Sequence, residues 1–201
     1  MTRQAVAFRL LFLQLFFVSA IVHGQSNLVY DIHWFGKVGK LIINQIQQND
    51  TTIITTNSEV KVPFYKFNWV TTTSQKDGLL SSSSYSQLLN DQTREFTDIR
   101  PTTAGKWMLT NDLGKKEEID ISHTFLVSML YFREPLNEKY VFSERFGHGL
   151  SIINLGNGHY KLMLPDNNYC EYFYENGVCT VVKAKNGSRT IKMTSVAKII
   201  E

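Results

Sequence analysis

Cysteine and proline are scarce, with two and four in 201 residues, and only 19% of the chain is charged. Two cysteines cannot staple a disulfide-framework miniprotein. Twelve glycines without a repeat exclude a collagen-like chain, and no heptad pattern supports a coiled coil. A disordered chain would carry a larger net charge than +3 and fewer aromatics than 12%. The apolar share, 43%, is that of an ordinary globular domain.

The first residues read as an address. Arg3 and Arg9 precede Leu10–Val22, an apolar run broken only by Gln14 and Ser19, and small residues follow. That order predicts a secretory signal peptide over residues 1–24, cleaved after Gly24. The run is shorter than the ~20 residues that a spanning helix needs, so no transmembrane segment is expected in the mature chain. The expected location is periplasmic or extracellular. Arg3 and Arg9 leave with the signal, and the formal charge drops from +3 to +1. Nucleic-acid binding needs a concentrated cationic face, so no nucleic-acid partner is expected. The densest basic stretch, Lys183, Lys185, Arg189 and Lys192, reads as a solvated strand face.

From residue 25 to 201 the chain reads as one antiparallel β domain. Strand-like runs alternate with turn signals every 8–14 residues or so. Leu28, Tyr30 and Ile32 alternate with Val29, Asp31 and His33, and Gly36 with Gly39 marks a turn. Pro63 marks a strand edge or bend. Tyr65, Phe67 and Trp69 share one face of a half-buried strand, with Lys66 and Asn68 on the other. Leu79–Asn90, with its serine run, predicts a weak strand, a loop being the alternative. Asn176-Gly177 is the strongest hairpin signal, because a type I′ turn needs positive φ at both central residues. Only Ser122–Phe132 departs from this rhythm. Phe125, Met129 and Phe132 share a helical face, Ser122 can cap it, and Pro135 stops it. At most one short helix is expected, buried and near 122–132, and a buried strand fits the same run almost as well.

About eleven to thirteen short strands joined by hairpins predict an antiparallel sheet with hidden edges. The expected fold is all-β, an antiparallel closed or half-closed β-barrel, with a β-sandwich as runner-up. The segments Tyr30-Asp31-Ile32 through Gly36 and Gly39, Asp77-Gly78-Leu79, Leu130 to Pro135, Phe142 to Gly147, Tyr160 to Asp166 and Tyr172 to Gly177 together carry a resemblance. In that order they resemble a family of exported Bacteroidota proteins known as a domain of unknown function. The resemblance spans about residues 28–198. It implies an antiparallel, barrel-like β domain and export, and supplies no catalytic or ligand residues.

The chemistry-bearing residues form no strong motif. An exported chain with two cysteines invites a Cys170–Cys179 bridge. If Asn176-Gly177 is a two-residue turn, however, Cys179 sits opposite Tyr174. Cys170 is then roughly 14 Å away at ~3.4 Å per residue, and a bridge needs Cα atoms within ~7 Å. No G-x-S-x-G motif exists, and Ser122-His123 are mere neighbours. His148 and His159 sit among glycines without metal-ligand spacing, so neither a metal nor another cofactor is expected. Glu134 with Glu144, or Asp31 with Glu171, would be the carboxylate pairs of a hydrolase. Arg133 and Arg145 beside the first pair read instead as structural ion-pair partners.

The favoured function is a non-catalytic binding or carrier role for an apolar or lipid-like ligand, with Tyr65, Phe67 and Trp69 as cavity lining. A module that docks on another envelope protein is the alternative. A secreted hydrolase using paired carboxylates ranks last, and no catalytic residue is assigned.

Overall fold

A computed structural model of the chain describes residues 24–121 and 124–200. The predicted signal peptide and the Ser122-His123 pair, including the Ser122 cap, lie outside the described residues apart from Gly24. The strands are β1 (Gly24–His33), β2 (Lys37–Gln48), β3 (Thr51–Val62), β4 (Tyr65–Lys76), β5 (Leu79–Leu89), β6 (Gln92–Pro101), β7 (Trp107–Asn111) and β8 (Lys116–Ile119). After a non-strand segment come β9 (Tyr140–Ser143), β10 (His148–Gly156), β11 (His159–Met163), β12 (Tyr169–Glu175), β13 (Val178–Asn186) and β14 (Arg189–Ile200). All fourteen lie in one sheet, in the order β8 through β1, then β14 through β9. Every strand–strand pairing is antiparallel.

The count exceeds the expected eleven to thirteen because two weakly patterned segments pair in full. The serine-rich Leu79–Leu89 is a ladder strand, with Ser83 opposite Thr73 and Ile99. Short β8 pairs along its length with β7. Alternation sets the inner face. Leu28, Tyr30 and Ile32 are buried, as are Leu41 and Ile43 across the ladder. Gly39 belongs to β2 rather than to the turn. A Cβ there would lie 2.0 Å from the Glu59 carbonyl oxygen, so only glycine allows β2 and β3 to approach.

Within 122–132 the described residues hold one short helix, the 3₁₀ turn Val127–Tyr131, rather than an α-helix; a second 3₁₀ turn lies at Pro165–Asn167. The physical reason is enclosure. Phe125, Leu126 and Leu130 are buried on different sides, which one helical stripe could not provide. The segment is a plug inside the curled sheet. Leu126 and Leu130 sit in separate core clusters, and Met129 packs against three. Tyr174 donates its hydroxyl to the Leu130 carbonyl at 2.6 Å, and Gln75 Nε2 donates to the Thr124 carbonyl at 3.0 Å.

No ladder joins β8 to β9, so the hydrogen-bonded sheet is open. Its ends nevertheless meet across a seam of side chains. Arg145, just after β9, forms a two-pronged pair with Glu95 of β6 at 2.8 and 2.7 Å. Thr97 donates to the Arg145 carbonyl at 2.8 Å. Phe142 of β9 packs with Leu80, Ile99 and Leu126. Both free edges are guarded. The Phe142 amide donates to the Phe125 carbonyl, covering β9, and β8 carries Lys116, Glu117 and Glu118.

Candidate functional site

The meander gives the molecule two ends. The turns at 34–36, 63–64, 90–91, 112–115, 144–147, 164–168 and 187–188 share one end. The turns at 49–50, 77–78, 102–106, 157–158 and 176–177 share the other. The plug fills the second. There Leu28, Ile43, Tyr160, Tyr174 and Cys179 are buried, and the rings of Tyr160 and Tyr174 meet edge to face at 5.5 Å.

The first end is hollow. A cavity of about 290 Å³ lies inside the sheet there. Eleven of the fourteen strands contribute to its wall, all but β6, β7 and β8. Ile32, Leu41, Val60, Trp69, Ile191 and Met193 form apolar wall, and Val127, Ser128 and Tyr131 of the plug form the floor. These positions alternate along their strands, which is why so many elements each supply a residue.

Polar groups converge at one point of the wall. Glu144 is only 3% exposed. Its Oε1 accepts the Ser128 amide at 3.1 Å and the Thr73 hydroxyl at 3.5 Å, and Thr73 lies 3.5 Å from the Ser83 hydroxyl. The Ser128 hydroxyl is buried beside the same carboxyl, yet meets no hydrogen-bond geometry with any partner. Burial pushes the Glu144 carboxyl above its ordinary value, and the hydrogen bonds from Ser128 and Thr73 only partly offset that. A proton on Glu144 turns an anion into a neutral donor in a hollow whose wall also carries the hydroxyls of Thr56, Ser58, Thr71 and Ser143. Arg145 at the rim is matched by Glu95 and lies over the Tyr85 and Phe146 rings at 5.5 and 4.8 Å.

The sequence-predicted residues fall unevenly. Tyr65, Phe67 and Trp69 do form one aromatic row, with ring centroids 6.1 and 6.0 Å apart. Of the three, Trp69 lines the cavity. Phe67 packs beside it against the β1–β3 core, and Tyr65 at the strand start is exposed. Cys179 sits opposite Tyr174, as the two-residue turn requires, and Cys170 opposite Ala184. Both thiols are free, and burial pushes each up to about 12. Such thiols are inert as nucleophiles.

The carboxylate pairs do not assemble. Glu134 accepts the Tyr160 hydroxyl at 2.9 Å, while Glu144 faces the cavity polar cluster. The predicted ion pairs beside them are also replaced. Arg133 lies over the Phe125 ring at 4.5 Å, and Arg145 reaches across the seam to Glu95. Asp31 and Glu171 stand on β1 and β12, with β14 and β13 between them. Three strand spacings are about 14 Å, beyond the ~10 Å that two-carboxylate hydrolysis tolerates. Asp31 pairs with Lys37, and Glu171 lies 3.7 Å from His159. His148 and His159 occupy opposite ends of the β10–β11 hairpin. Among the described residues no three His, Cys, Asp or Glu side chains converge on a metal site.

Sequence reasoning missed Glu144 as an interior carboxyl, because nothing local marks a buried glutamate. It also missed two turn residues. Phe35 and Phe64 hold positive φ, at 54° and 70°. Their signal was legible: a bulky aromatic beside Gly36, and another after Pro63, where turns favour Gly or Asn.

No curated protein matches the chain. The family described as a domain of unknown function, DUF6134, matches residues 30–196, from the first buried residues of β1 almost to the end of β14. With most of the sequence inside that match, the chain belongs to this family.

Proposed function

We propose that the protein is a non-catalytic binding or carrier protein, with the interior of the curled sheet as its binding chamber. The observation that carries this reading is the cavity of about 290 Å³, whose wall is mostly apolar side chains from both arms of the sheet, with Thr56, Ser58, Thr71 and Ser143 among them. Its size is near the lower bound of ligand pockets, ~300 Å³. At ~30 Å³ for each water-sized volume, it takes roughly ten heavy atoms. Ten buried methylenes gain ~8 kcal/mol at ~0.8 each, against an association cost of ~4–15 kcal/mol. Binding therefore depends on a chamber that exists before the ligand arrives, and one with walls from eleven strands is preformed.

The ligand class follows from the wall. An apolar or lipid-like body lies against Trp69, Leu41 and Met193, and a single uncharged polar group meets Glu144 and Ser128. Arg145, the cation among the described lining residues, is already matched by Glu95, so a free carboxylate inside the cavity meets no unpaired cation there. In this reading the seam completes a barrel-like shell, and the predicted signal peptide sends it out of the cytoplasm.

The test uses delipidated protein and an apolar fluorescent probe, N-phenyl-1-naphthylamine. Medium-chain alcohols are expected to displace the probe better than fatty acids of equal length. Ala184→Phe places a ring in the cavity wall, so it should fold normally and lose the probe signal. Probe binding that is absent in the wild type, or unchanged in Ala184→Phe, removes the proposal.

A further inference from the structure

Among the described residues nine non-glycine residues hold positive φ, and seven of them are Asn or Asp. Those two types tolerate the left-handed region, whereas a bulky residue there is an outlier. The two exceptions are Phe35 and Phe64. Both are turn tips, 100% and 92% exposed, so no burial within the fold compensates their strain. Both stand at the cavity end, as does Leu113 on the turn after β7, which is 85% exposed. The turns of the packed end carry Asn49-Asp50, Asp77-Gly78, Asn157-Gly158 and Asn176-Gly177, and the cavity end has Asn90-Asp91 and Asn167 beside its two phenylalanines. Single exposed apolar residues are ordinary. Three at the turn tips of one end, two of them on unfavourable backbone, are not; at the packed end Leu79 and Leu155 are 57% and 49% exposed, on ordinary backbone within strands.

We propose that the cavity end docks on a lipid bilayer surface, with Phe35 and Phe64 as the inserting side chains and Leu113 as a third point. The geometry suits a bilayer better than a protein pocket. The first two tips stand on hairpins two strand spacings apart, about 10 Å. Between and beside them lie charged and polar groups. Lys37 pairs with Asp31, Lys61 with Glu59, and Lys66 with Asp91. Separate apolar pegs whose neighbouring lysines are each paired, with Arg189 of the same end lying over the Trp34 ring, match a bilayer interface, which needs no complementary pocket. The Phe64 peg is also braced. Asn90 Nδ2 donates to the Phe64 carbonyl at 3.4 Å, and its Oδ1 accepts the Lys66 amide at 2.8 Å. The strand walls point the other way, apolar inward and polar outward, the reverse of a barrel that spans lipid. Docking by the tips leaves the cavity facing the membrane, and it does not depend on what the cavity holds.

The test is flotation with phosphatidylcholine vesicles, using protein as its host cell processes it. Wild type is expected to float, with little change when phosphatidylglycerol is added or salt is raised. The double variant Phe35→Asn, Phe64→Asn should lose vesicle partition at least ten-fold. Its melting temperature should be equal or higher, because asparagine suits the same φ. Ile153→Ser, on the outer wall of β10, should float like wild type. Wild type that ignores vesicles, or a double variant that floats unchanged, overturns the proposal. So does capture of the tips by a protein partner with no lipid binding.

Discussion

The two ends of this protein are built from the same strands and face opposite physical demands. At the packed end, tyrosine rings and a plug segment fill the interior, and the turns carry Asn, Asp and Gly. At the cavity end the interior is hollow, a carboxyl is buried in its wall, and phenylalanines occupy strained turn tips. A meander can hold such a contrast because each strand has its own two halves. One half of a strand can serve stability while the other half lines a void. The lesson is that burial along an alternating strand does not by itself distinguish core from chamber.

The contrast can be broken most directly at the core. Leu130→Ala empties a fully buried site in the plug and should cost about 3 kcal/mol. For a chain of this length that is a melting temperature lower by about 6–12 °C. Ile191→Ala trims a side chain already bordering the void, and about half that loss is expected. Equal losses in calorimetry would mean that the two ends are equally packed.

A smaller effect sharpens the chemistry of the chamber. Glu144 holds its proton more tightly folded than unfolded, because burial raises its pKa above 4.5. The stability it permits is complete below that range and declines as pH rises toward the folded value, by up to about 1.4 kcal/mol per pH unit. Glu144→Gln removes the titration. The gap in melting temperature between variant and wild type should therefore widen as pH climbs above about 4.5, with the variant on top. A gap that stays constant from pH 4 to pH 8 would place Glu144 in solvent contact.

The smallest effect is expected at the seam. Glu95→Gln weakens a partly exposed pair with Arg145 and should cost no more than about 1 kcal/mol, read by chemical denaturation. A larger loss would make the seam, rather than the plug, the main tie between the two arms.

Much of the fold was legible because alternation is local. Leu28, Tyr30 and Ile32 announce an inward face, and Asn176-Gly177 fixes the register that holds Cys170 and Cys179 apart. The plug was legible only as a short helix or a buried strand, because residues 125–132 are apolar on nearly every side, and periodicity is silent when all directions are buried. The row Tyr65, Phe67 and Trp69 was legible as one face of a strand, but alternation alone does not say that Tyr65, which begins the strand beside a turn, is exposed. Glu144 was illegible. Its burial depends on Thr73 and Ser128, 71 and 16 residues away in sequence.

The missing ladder between β8 and β9 leaves the wall unlaced along one line. Along that line the two arms are tied by side chains alone, the Arg145–Glu95 pair, the Thr97 hydroxyl and the Phe142 ring, so separating them there would break no rung of strand pairing.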